Sequence, residues 1–269
     1  FMTATTESSS ACFADRRKWG IRIRDVFFAK AGTPVPGRGA DLLFHLQTDT
    51  PGTDGTPFYT SVIDLAQDEQ ALLEGLHKSF RYEIRRAQDK DALVCRIAAP
   101  SPPELDAFFA FYDAFAQARS LPGANRAKLA GLNGLGLISL AEVRDAQGQC
   151  LAAHLYLQAP QRVRLYHSAG QQGEQADRQL VGRANKLLHW KALQHFHALG
   201  LKEYDMGGLG MSEAMKALDQ FKQQFGGRIV LEYNRIEAAS LKGQVLLGLM
   251  RLRRRLARPA PAPSSSSEG

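Results

Sequence analysis

The spacing of apolar residues between positions 137 and 236 constrains the fold more than any other feature of this sequence. Three segments, 137–144, 150–157 and 163–168, read as strands, and the connections between them are short enough for hairpins. The rest of the region alternates helix, strand, helix and strand patterns, over 180–199, 203–206, 212–225 and 228–236. This order predicts an α/β domain that contains three consecutive antiparallel strands.

The N-terminal part is predicted to add strands and helices to this domain. Short apolar runs separated by turn residues over 19–64 indicate strands of an α/β layer. One long helix is predicted over 68–90, because apolar residues recur there at helical spacing: Leu72, Leu76, Phe80, Ile84 and Ala87. Two more helices are predicted, one that begins near Pro103 and one over 124–132.

Positive charge is concentrated near the C-terminus. The chain has a formal net charge of +7 and a pI of about 9.4, and five arginines fall between residues 251 and 258. Apolar residues recur at helical spacing over 241–258, which predicts a basic amphipathic helix. Such a helix either lies on an anionic membrane or docks on the domain or on a second subunit. The sequence leaves the number of subunits open.

Other sequence features limit the class of protein. The three cysteines, Cys12, Cys95 and Cys150, are an odd and scattered set, which predicts no disulfide framework and fits a reducing cytoplasm. No residues have metal-ligand spacing, so no metal is expected. We see neither a membrane-spanning apolar run nor a signal peptide. A cytoplasmic location is expected, with the inner face of the membrane as an alternative, and disordered ends at 1–14 and 259–269.

The segment Gln179-Leu180-Val181-Gly182-Arg183-Ala184 is predicted to form a turn where a strand gives way to a helix. A helix N-terminus offers unpaired N–H groups and a partial positive charge, which together bind phosphate. Gly182 would allow close approach to the backbone, and Arg183 could add a charged contact. The segment therefore predicts a phosphate-binding turn, with an ordinary loop-to-helix entry as the alternative.

Four motifs in chain order resemble those of one acyltransferase family. They are Ile63-Asp64-Leu65 together with Phe80-Arg81-Tyr82-Glu83-Ile84-Arg85-Arg86-Ala87, then Ala184-Asn185-Lys186-Leu187-Leu188-His189-Trp190, Tyr204-Asp205-Met206-Gly207-Gly208 and Phe221-Lys222-Gln223-Gln224-Phe225-Gly226-Gly227. The element order resembles the GNAT fold, and the motifs resemble its Fem-like branch, which includes peptidoglycan-bridge aminoacyltransferases and related cell-envelope acyltransferases. The resemblance covers about residues 60–236.

The resemblance implies an α/β (α+β) fold with a GNAT-type mixed, mostly antiparallel sheet flanked by helices. Members of the peptidoglycan type have two GNAT-like halves. Here the N-terminal half, 15–100, looks shortened, and 101–240 would be the catalytic domain.

The same resemblance implies direct attack of an amine on an acyl carbonyl. Lys222 would stabilise the oxyanion, and Asp205 or Tyr166 would handle the proton. The donor, an acyl-CoA thioester or an aminoacyl-tRNA, would be bound by Gln179, Val181, Gly182, Arg183, Ala184 and Asn185. The acceptor, a small or lipid-linked amine such as an amino sugar or peptide of the cell envelope, would be bound by Arg81, Arg85, Tyr204 and Phe221.

Two further functions remain open at this point. The basic helix face over 78–90 and the basic C-terminal helix would suit a module that binds the phosphates of RNA. A Fem-like fold that only assembles partners at a membrane would use the same surfaces without a donor. Both alternatives describe a non-catalytic binding protein.

Overall fold

The computed structural model describes residues 12–173 and 176–256. Ten strands form one sheet: β1 (Cys12–Lys18), β2 (Ile21–Phe27), β3 (Leu42–Thr48), β4 (Thr56–Asp64), β5 (Val94–Ala98), β6 (Ile138–Arg144), β7 (Cys150–Gln158), β8 (Arg162–Gly170), β9 (Glu203–Gly208) and β10 (Arg228–Ala238). Seven α-helices accompany the sheet: α1 (Glu69–Gly75), α2 (Lys78–Asp89), α3 (Pro102–Ala118), α4 (Arg126–Gly134), α5 (Arg178–Ala198), α6 (Lys216–Gln223) and α7 (Leu241–Leu256).

The strands follow the order β1-β2-β3-β10-β4-β9-β8-β7-β6-β5 across the sheet. Neighbouring strands are antiparallel except in two pairs, β2 with β3 and β8 with β9. The predicted mixed, mostly antiparallel sheet flanked by helices is therefore confirmed. Because β10 lies between β3 and β4, the predicted segments 15–100 and 101–240 contribute to one continuous sheet.

Helices cover the sheet on both sides and enclose the two larger apolar cores of the described residues. One core joins α1, α2 and α5 to the central strands and includes Phe80, Trp190 and Phe225. The other joins α3 and α4 to strands on the opposite face and includes Phe108 and Leu129. Burial of these large side chains supplies the main favourable free energy of folding.

The predicted helix over 68–90 is two helices. Leu76 has extended backbone (ψ 141°), and the backbone N–H of His77 donates to the carbonyl of Gln224 at 2.9 Å. The His77 ring accepts from the N–H of Ser79 at the start of α2. The apolar stripe continues across this break, so periodicity alone did not reveal it.

The N-terminal boundary also differs from the prediction. Residues 12–14, expected in a disordered terminus, form the start of β1, where Cys12, Phe13 and Ala14 are buried. Cys12 and Phe13 pair with Phe27 and Val26 at the apolar end of β2, which explains why this segment is a strand. The rest of that terminus and the predicted tail at 259–269 lie outside the described residues.

The other elements lie close to their predicted positions. The three hairpin-linked strands are β6, β7 and β8, and the predicted basic helix over 241–258 is α7, described to residue 256. Strand β5 was not predicted, because it has only five residues, none of them fully buried.

Candidate active site

Strands β8 and β9 are parallel neighbours at their beginnings and separate farther along. Their pairing runs from Arg162 opposite Glu203 to Arg164 opposite Asp205, and the register goes no further. Beyond that point the two strands no longer form a ladder, although β8 continues to Gly170 and β9 to Gly208. Separated parallel strands of this kind are a common place for a site, since their carboxyl ends open into a crevice.

A bulge lies on each strand beside this separation. On β8, Tyr166 is the extra residue, since Leu165 pairs with Tyr156 and His167 with Leu155. On β9, two residues face one on β4, and Gly207 adopts a positive φ of 80°. Bulges re-aim side chains and backbone groups, and they often occur next to active sites.

The Gly207-Gly208 pair allows two side chains to approach the β9 backbone closely. An added Cβ on Gly207 would lie 3.1 Å from the carbonyl oxygen of Leu165 and 3.9 Å from Nζ of Lys222. An added Cβ on Gly208 would lie 2.9 Å from the ring of Phe58. Gly208 is therefore required for packing, and Gly207 is required for its backbone conformation.

Lys222 reaches this glycine pair from α6. Its ammonium group donates a hydrogen bond of 2.6 Å to the carbonyl oxygen of Gly208. Burial lowers the pKa of Lys222, an effect that the charges of Asp205 and Asp219 oppose. The helix is held by Phe221 and Phe225, whose rings lie 5.3 and 5.0 Å from that of Phe80 on α2. A desolvated cation is thus fixed at the point where β8 and β9 separate.

Asp205 lies at the same place, but its carboxylate already accepts four hydrogen bonds. Its carboxylate accepts from Arg162 at 2.6 Å, from Gln47 at 2.8 Å, from the N–H of Gly207 at 2.7 Å and from the hydroxyl of Thr60. Burial alone would raise the pKa of Asp205, but Arg162, Arg164 and these hydrogen bonds lower it. An ionised carboxylate with four donors is a weak proton acceptor, so the geometry favours a positioning role.

Glu232 extends this buried network onto β10. It accepts from Arg162 at 2.5 and 3.0 Å and from Gln47 at 2.9 Å. The network therefore joins strands β3, β10, β9 and β8 through charged side chains. Sequence reasoning did not identify Arg162, Gln47 or Glu232, because the three residues are far apart in the chain.

Tyr166 and His167 differ in their surroundings. Tyr166 is half-buried beside the guanidinium of Arg164 and the ammonium of Lys128, which lie 5.5 and 6.0 Å from its ring. His167 packs on Tyr112 with ring centroids 4.4 Å apart, and burial, together with the charge of Arg164, lowers the pKa of His167 to about 4. Tyr166 is therefore placed among cations, whereas His167 is a neutral packing residue.

The predicted phosphate-binding segment lies inside α5, which corrects its expected position in the turn. The helix begins at Arg178, and Asp177 caps it by accepting from the N–H groups of Gln179 and Leu180 at 2.9 and 3.1 Å. Gly182 falls in the second turn of the helix, where its N–H is no longer a free terminal donor. A phosphate at this N-terminus would compete with the Asp177 carboxylate.

The other predicted donor-binding residues have partners within the protein. Arg183 forms a two-pronged ion pair with Asp91, at 2.6 and 3.1 Å. The side-chain oxygen of Asn185 bonds to Nε2 of His154 at 2.7 Å, and Ala184 is buried in the core. Val181 packs against Gly170 at the end of β8, and Gln179 is exposed.

The predicted acceptor-binding residues are spread over two places. Arg81 donates to the carbonyl oxygens of Glu74 and Leu76, both at 2.8 Å, and so closes the end of α1. Arg85 is exposed on α2. Phe221 precedes Lys222 on α6, whereas Tyr204 is fully buried against His189 of α5.

Tyr204 belongs to a chain of buried polar side chains that the sequence did not reveal. His154 bonds to Tyr156 at 2.9 Å, Tyr156 to Tyr204 at 2.8 Å, and Tyr204 to Nδ1 of His189 at 2.8 Å. Burial lowers the pKa of His154 to about 4, and burial, His154 and Lys222 lower that of His189. Both rings are therefore neutral, and the chain fixes α5 to β7 and β9.

Two kinds of site are absent from the part of the chain that the structure describes. Within residues 12–173 and 176–256, no group of three His, Cys, Asp or Glu side chains could hold a metal ion. In the same ranges, no helix combines the length and apolar character that crossing a bilayer requires.

Sequence comparison places this site within a family. Residues 75–223 match the family described as acetyltransferase (GNAT) domain, and this segment runs from the end of α1 to Gln223 at the end of α6. No curated protein matches the chain in sequence.

Structural comparison extends the likeness to the whole chain. FemX superposes with a TM-score of 0.61 at 12% identity, over 93% of this chain and 90% of FemX. L-PGS from Bacillus licheniformis superposes with a TM-score of 0.53 at 11% identity, over 96% and 90% of the two chains. The C-terminal domain of a putative lysylphosphatidylglycerol synthetase from Agrobacterium fabrum gives 0.52 at 14% identity, over 93% and 89%. At these identities the likeness establishes the fold.

The fold and the family match lead to the same assignment, and the resemblance to the GNAT fold is confirmed. The chain belongs to the acetyltransferase (GNAT) domain family and is an N-acyltransferase.

Proposed function

We propose that this protein transfers an acyl or aminoacyl group from a CoA thioester, or from an aminoacyl-tRNA, to an amine of a cell-envelope precursor. The observation that carries the proposal is the half-buried ammonium of Lys222, held on the carbonyl of Gly208 where β8 and β9 separate. A cation fixed at this point is the group that such a reaction needs.

The reaction creates negative charge at one atom. The amine nitrogen attacks the acyl carbonyl carbon, and the carbonyl oxygen becomes an oxyanion as the new C–N bond forms. A preorganised cation or N–H aimed at that oxygen is worth about 3–4 kcal/mol in the barrier. Lys222 would supply it, since its hydrogen bond to Gly208 leaves two ammonium protons free.

Collapse of the intermediate breaks the bond between the carbonyl carbon and the sulfur of CoA, or the ester oxygen of the tRNA. The amine loses one proton, and the leaving thiolate or alkoxide gains one. Tyr166 is the candidate to carry that proton, because it is half-buried at the β8 bulge and its hydroxyl can donate and accept. Asp205 is assigned to positioning, since its carboxylate already has four donors.

The choice of donor depends on the start of α5. GNAT domains generally use acyl-CoA, and a pyrophosphate at this helix would have to displace Asp177 from the N–H groups of Gln179 and Leu180. An aminoacyl-tRNA would place a single ester in the cleft and would not need those groups. The Asp177 cap therefore provides a means of distinguishing the two donors.

The acceptor and its location are proposed from the exposed surface. α7 presents an apolar stripe to solvent: Leu241, Val245, Leu249 and Leu252. Arg253 is exposed on the same helix, and Arg251, also exposed, is paired with Asp54. An apolar stripe beside arginine suits the surface of an anionic membrane. We propose that the enzyme works in the cytoplasm at the inner face of the membrane, on a small or lipid-linked amine.

Isothermal titration of the purified protein with acetyl-CoA and CoA tests the CoA version. The wild type should bind with micromolar affinity, and Gly182→Asp should bind more weakly, since the carboxylate would lie near the pyrophosphate. Asp177→Asn should bind more tightly, because the competing charge is removed while the cap remains.

A folded wild type that gives no heat with either ligand would exclude the CoA version. The next measurement would then be transfer from radiolabelled aminoacyl-tRNA to an amine, with Lys222→Met as the negative control. Absence of transfer from both donor classes would overturn the proposed activity.

A further inference from the structure

We propose that Arg164 forms an anion subsite at the active site, so that the acceptor amine carries a carboxylate or a phosphate group. This inference rests on the proposed function, and it adds the chemical class of the acceptor. It follows from four properties of one arginine that neither the motifs nor the family match singled out.

The first property is position. Arg164 is the last residue of β8 that pairs with β9, opposite Asp205, and the bulge at Tyr166 follows two residues later. Its side chain therefore belongs to the point where the strands separate, not to the regular part of the sheet.

The second property is that Arg164 has no anionic partner among the described residues. Its neighbour on the same strand, Arg162, contacts the carboxylates of Asp205, Glu232 and Glu203. No ion pair or side-chain hydrogen bond is formed by Arg164 within residues 12–173 and 176–256. Its Nε atom is buried and unbonded there.

The third property is the way in which the guanidinium is held. It lies 5.1 Å from the centre of the Phe58 ring and 5.5 Å from that of Tyr166. Two aromatic rings fix the plane of the guanidinium without using its N–H groups. Those N–H groups are left to form a fork, which matches the geometry of a carboxylate or phosphate.

The fourth property is the nearness of Lys222. Phe58 also covers Gly208, whose carbonyl accepts the hydrogen bond from Lys222, so one ring links the two cations. The charge of Arg164 contributes to the lowered pKa of Lys222 and to that of Asp205. The positive charges of Arg164 and Lys222 therefore lie close enough to affect each other.

A half-buried cation without a counter-ion is unfavourable on its own. A substrate anion would remove that cost and would bring its amine beside the carbonyl that Lys222 faces. Arg164 is thus a specificity-determining residue. The bonds that form and break remain those of the proposed acyl transfer.

The test uses the full-length protein, Arg164→Met, Arg164→Lys and a matched control, Arg119→Met. Arg119 also stacks on an aromatic ring, 5.7 Å from the centre of Phe115, but it is exposed on the far end of α3. Thermal unfolding is followed while inorganic phosphate or acetate is added, with ionic strength held constant by sodium chloride. The two anions distinguish a phosphate subsite from a carboxylate subsite.

The unfolding midpoint of the wild type and of Arg119→Met should rise with at least one anion, and that of Arg164→Met should not. Arg164→Lys should respond weakly, since an ammonium lacks the fork. Equal responses of the wild type and Arg164→Met, or no response of the wild type to either anion, would overturn the subsite.

A kinetic arm connects the subsite to transfer. KM is measured for two pairs of acceptor amines, glucosamine 6-phosphate with glucosamine and glycine with glycinamide. In at least one pair, the amine that carries the phosphate or carboxylate should have the lower KM. In Arg164→Met that difference should shrink by about tenfold, with a smaller change in kcat. If no amine is acylated but the anion response depends on Arg164, the proposed activity fails and the subsite stands.

Discussion

The ammonium nitrogen of Lys222 lies 2.6 Å from the carbonyl oxygen of Gly208, and so connects α6 to the end of β9. This hydrogen bond keeps a long and flexible side chain in one place before any substrate arrives. Preorganisation of that kind is what distinguishes a stabiliser of a transition state from a lysine that only happens to be near.

Replacement of Lys222 should remove most of the activity without unfolding the protein. Lys222→Met should lower kcat by about 10²–10³-fold, the cost of one lost oxyanion contact. Lys222→Arg should retain part of the activity, since the positive charge remains. The control is Lys216→Met, on the same helix but exposed beside Glu213, which should keep normal kcat. An active Lys222→Met enzyme with an unchanged kcat would contradict the proposed role.

The pH–rate profile should fall on the alkaline side at a pH below that of an ordinary lysine. Burial lowers the pKa of Lys222, and only the protonated form can stabilise an oxyanion. Activity is therefore expected below that pKa and is lost as the pH rises through it. In Lys222→Arg the fall should move to higher pH, because arginine stays protonated. Profiles of kcat for both enzymes, over the range in which both remain folded, provide the check.

The protein should lose stability in weak acid because of its buried neutral histidines. Burial lowers the pKa of His154 to about 4 and also lowers that of His189, whereas an unfolded histidine titrates near its usual value of about 6.5. Between these values the unfolded chain binds more protons, so stability falls with falling pH. Each histidine should contribute about 1.4 kcal/mol per pH unit to that fall.

Urea unfolding at a series of pH values would measure this dependence. In His154→Gln the slope of the unfolding free energy against pH should decrease by about one proton, even if the variant is less stable throughout. A slope equal to that of the wild type would show that His154 is not neutral in the native state.

Removal of Asp205 should cost stability more than chemistry. Asp205→Ala leaves the buried hydroxyl of Thr60 without its partner and removes one of the two acceptors of Arg162 and Gln47, which should cost about 3–5 kcal/mol. Glu213→Ala, at an exposed ion pair, should cost less than about 0.5 kcal/mol.

Asp205→Asn separates the two roles, since it keeps the shape of the side chain. We expect kcat per folded molecule to remain within about tenfold of the wild type. A fall of about 10²–10⁴-fold in a stably folded Asp205→Asn protein would instead identify Asp205 as the general base.

The exposed stripe on α7 should bind vesicles that contain anionic lipid. Co-sedimentation is expected with phosphatidylglycerol in phosphatidylcholine, less with phosphatidylcholine alone, and less again as salt is raised. Leu249→Asp places a charge in the middle of the stripe and should abolish binding, whereas the fold should be unaffected because Leu249 is exposed. Equal sedimentation of both proteins would exclude α7 as the contact.

Local patterns predicted most of the elements, and the motifs predicted the fold, because both depend on residues that are close in sequence. The stripe from Leu72 to Ala87 is buried as expected, and the break at His77 depends on Gln224, which no local pattern reveals. Pro103 marked the start of a helix, which begins one residue earlier at Pro102.

The site was harder to predict for the same reason. Lys222 could be singled out because it lies in a contiguous motif beside two aromatic residues. Arg164 and Arg162 look alike in the sequence, two positions apart on one strand. Among the described residues, Arg162 forms ion pairs with three carboxylates and Arg164 forms none. Only the three-dimensional arrangement of distant strands separates a structural arginine from a binding one.

The place of β10 in the sheet determines when the protein can finish folding. Strands β3 and β4 follow each other in the chain, but β10 lies between them and is made last of the ten. On the ribosome, both strands must therefore wait with open hydrogen-bonding edges, which invite wrong pairing and aggregation. A nascent chain that stops before Arg228 cannot close the centre of its sheet, so chaperone binding should last until β10 has emerged.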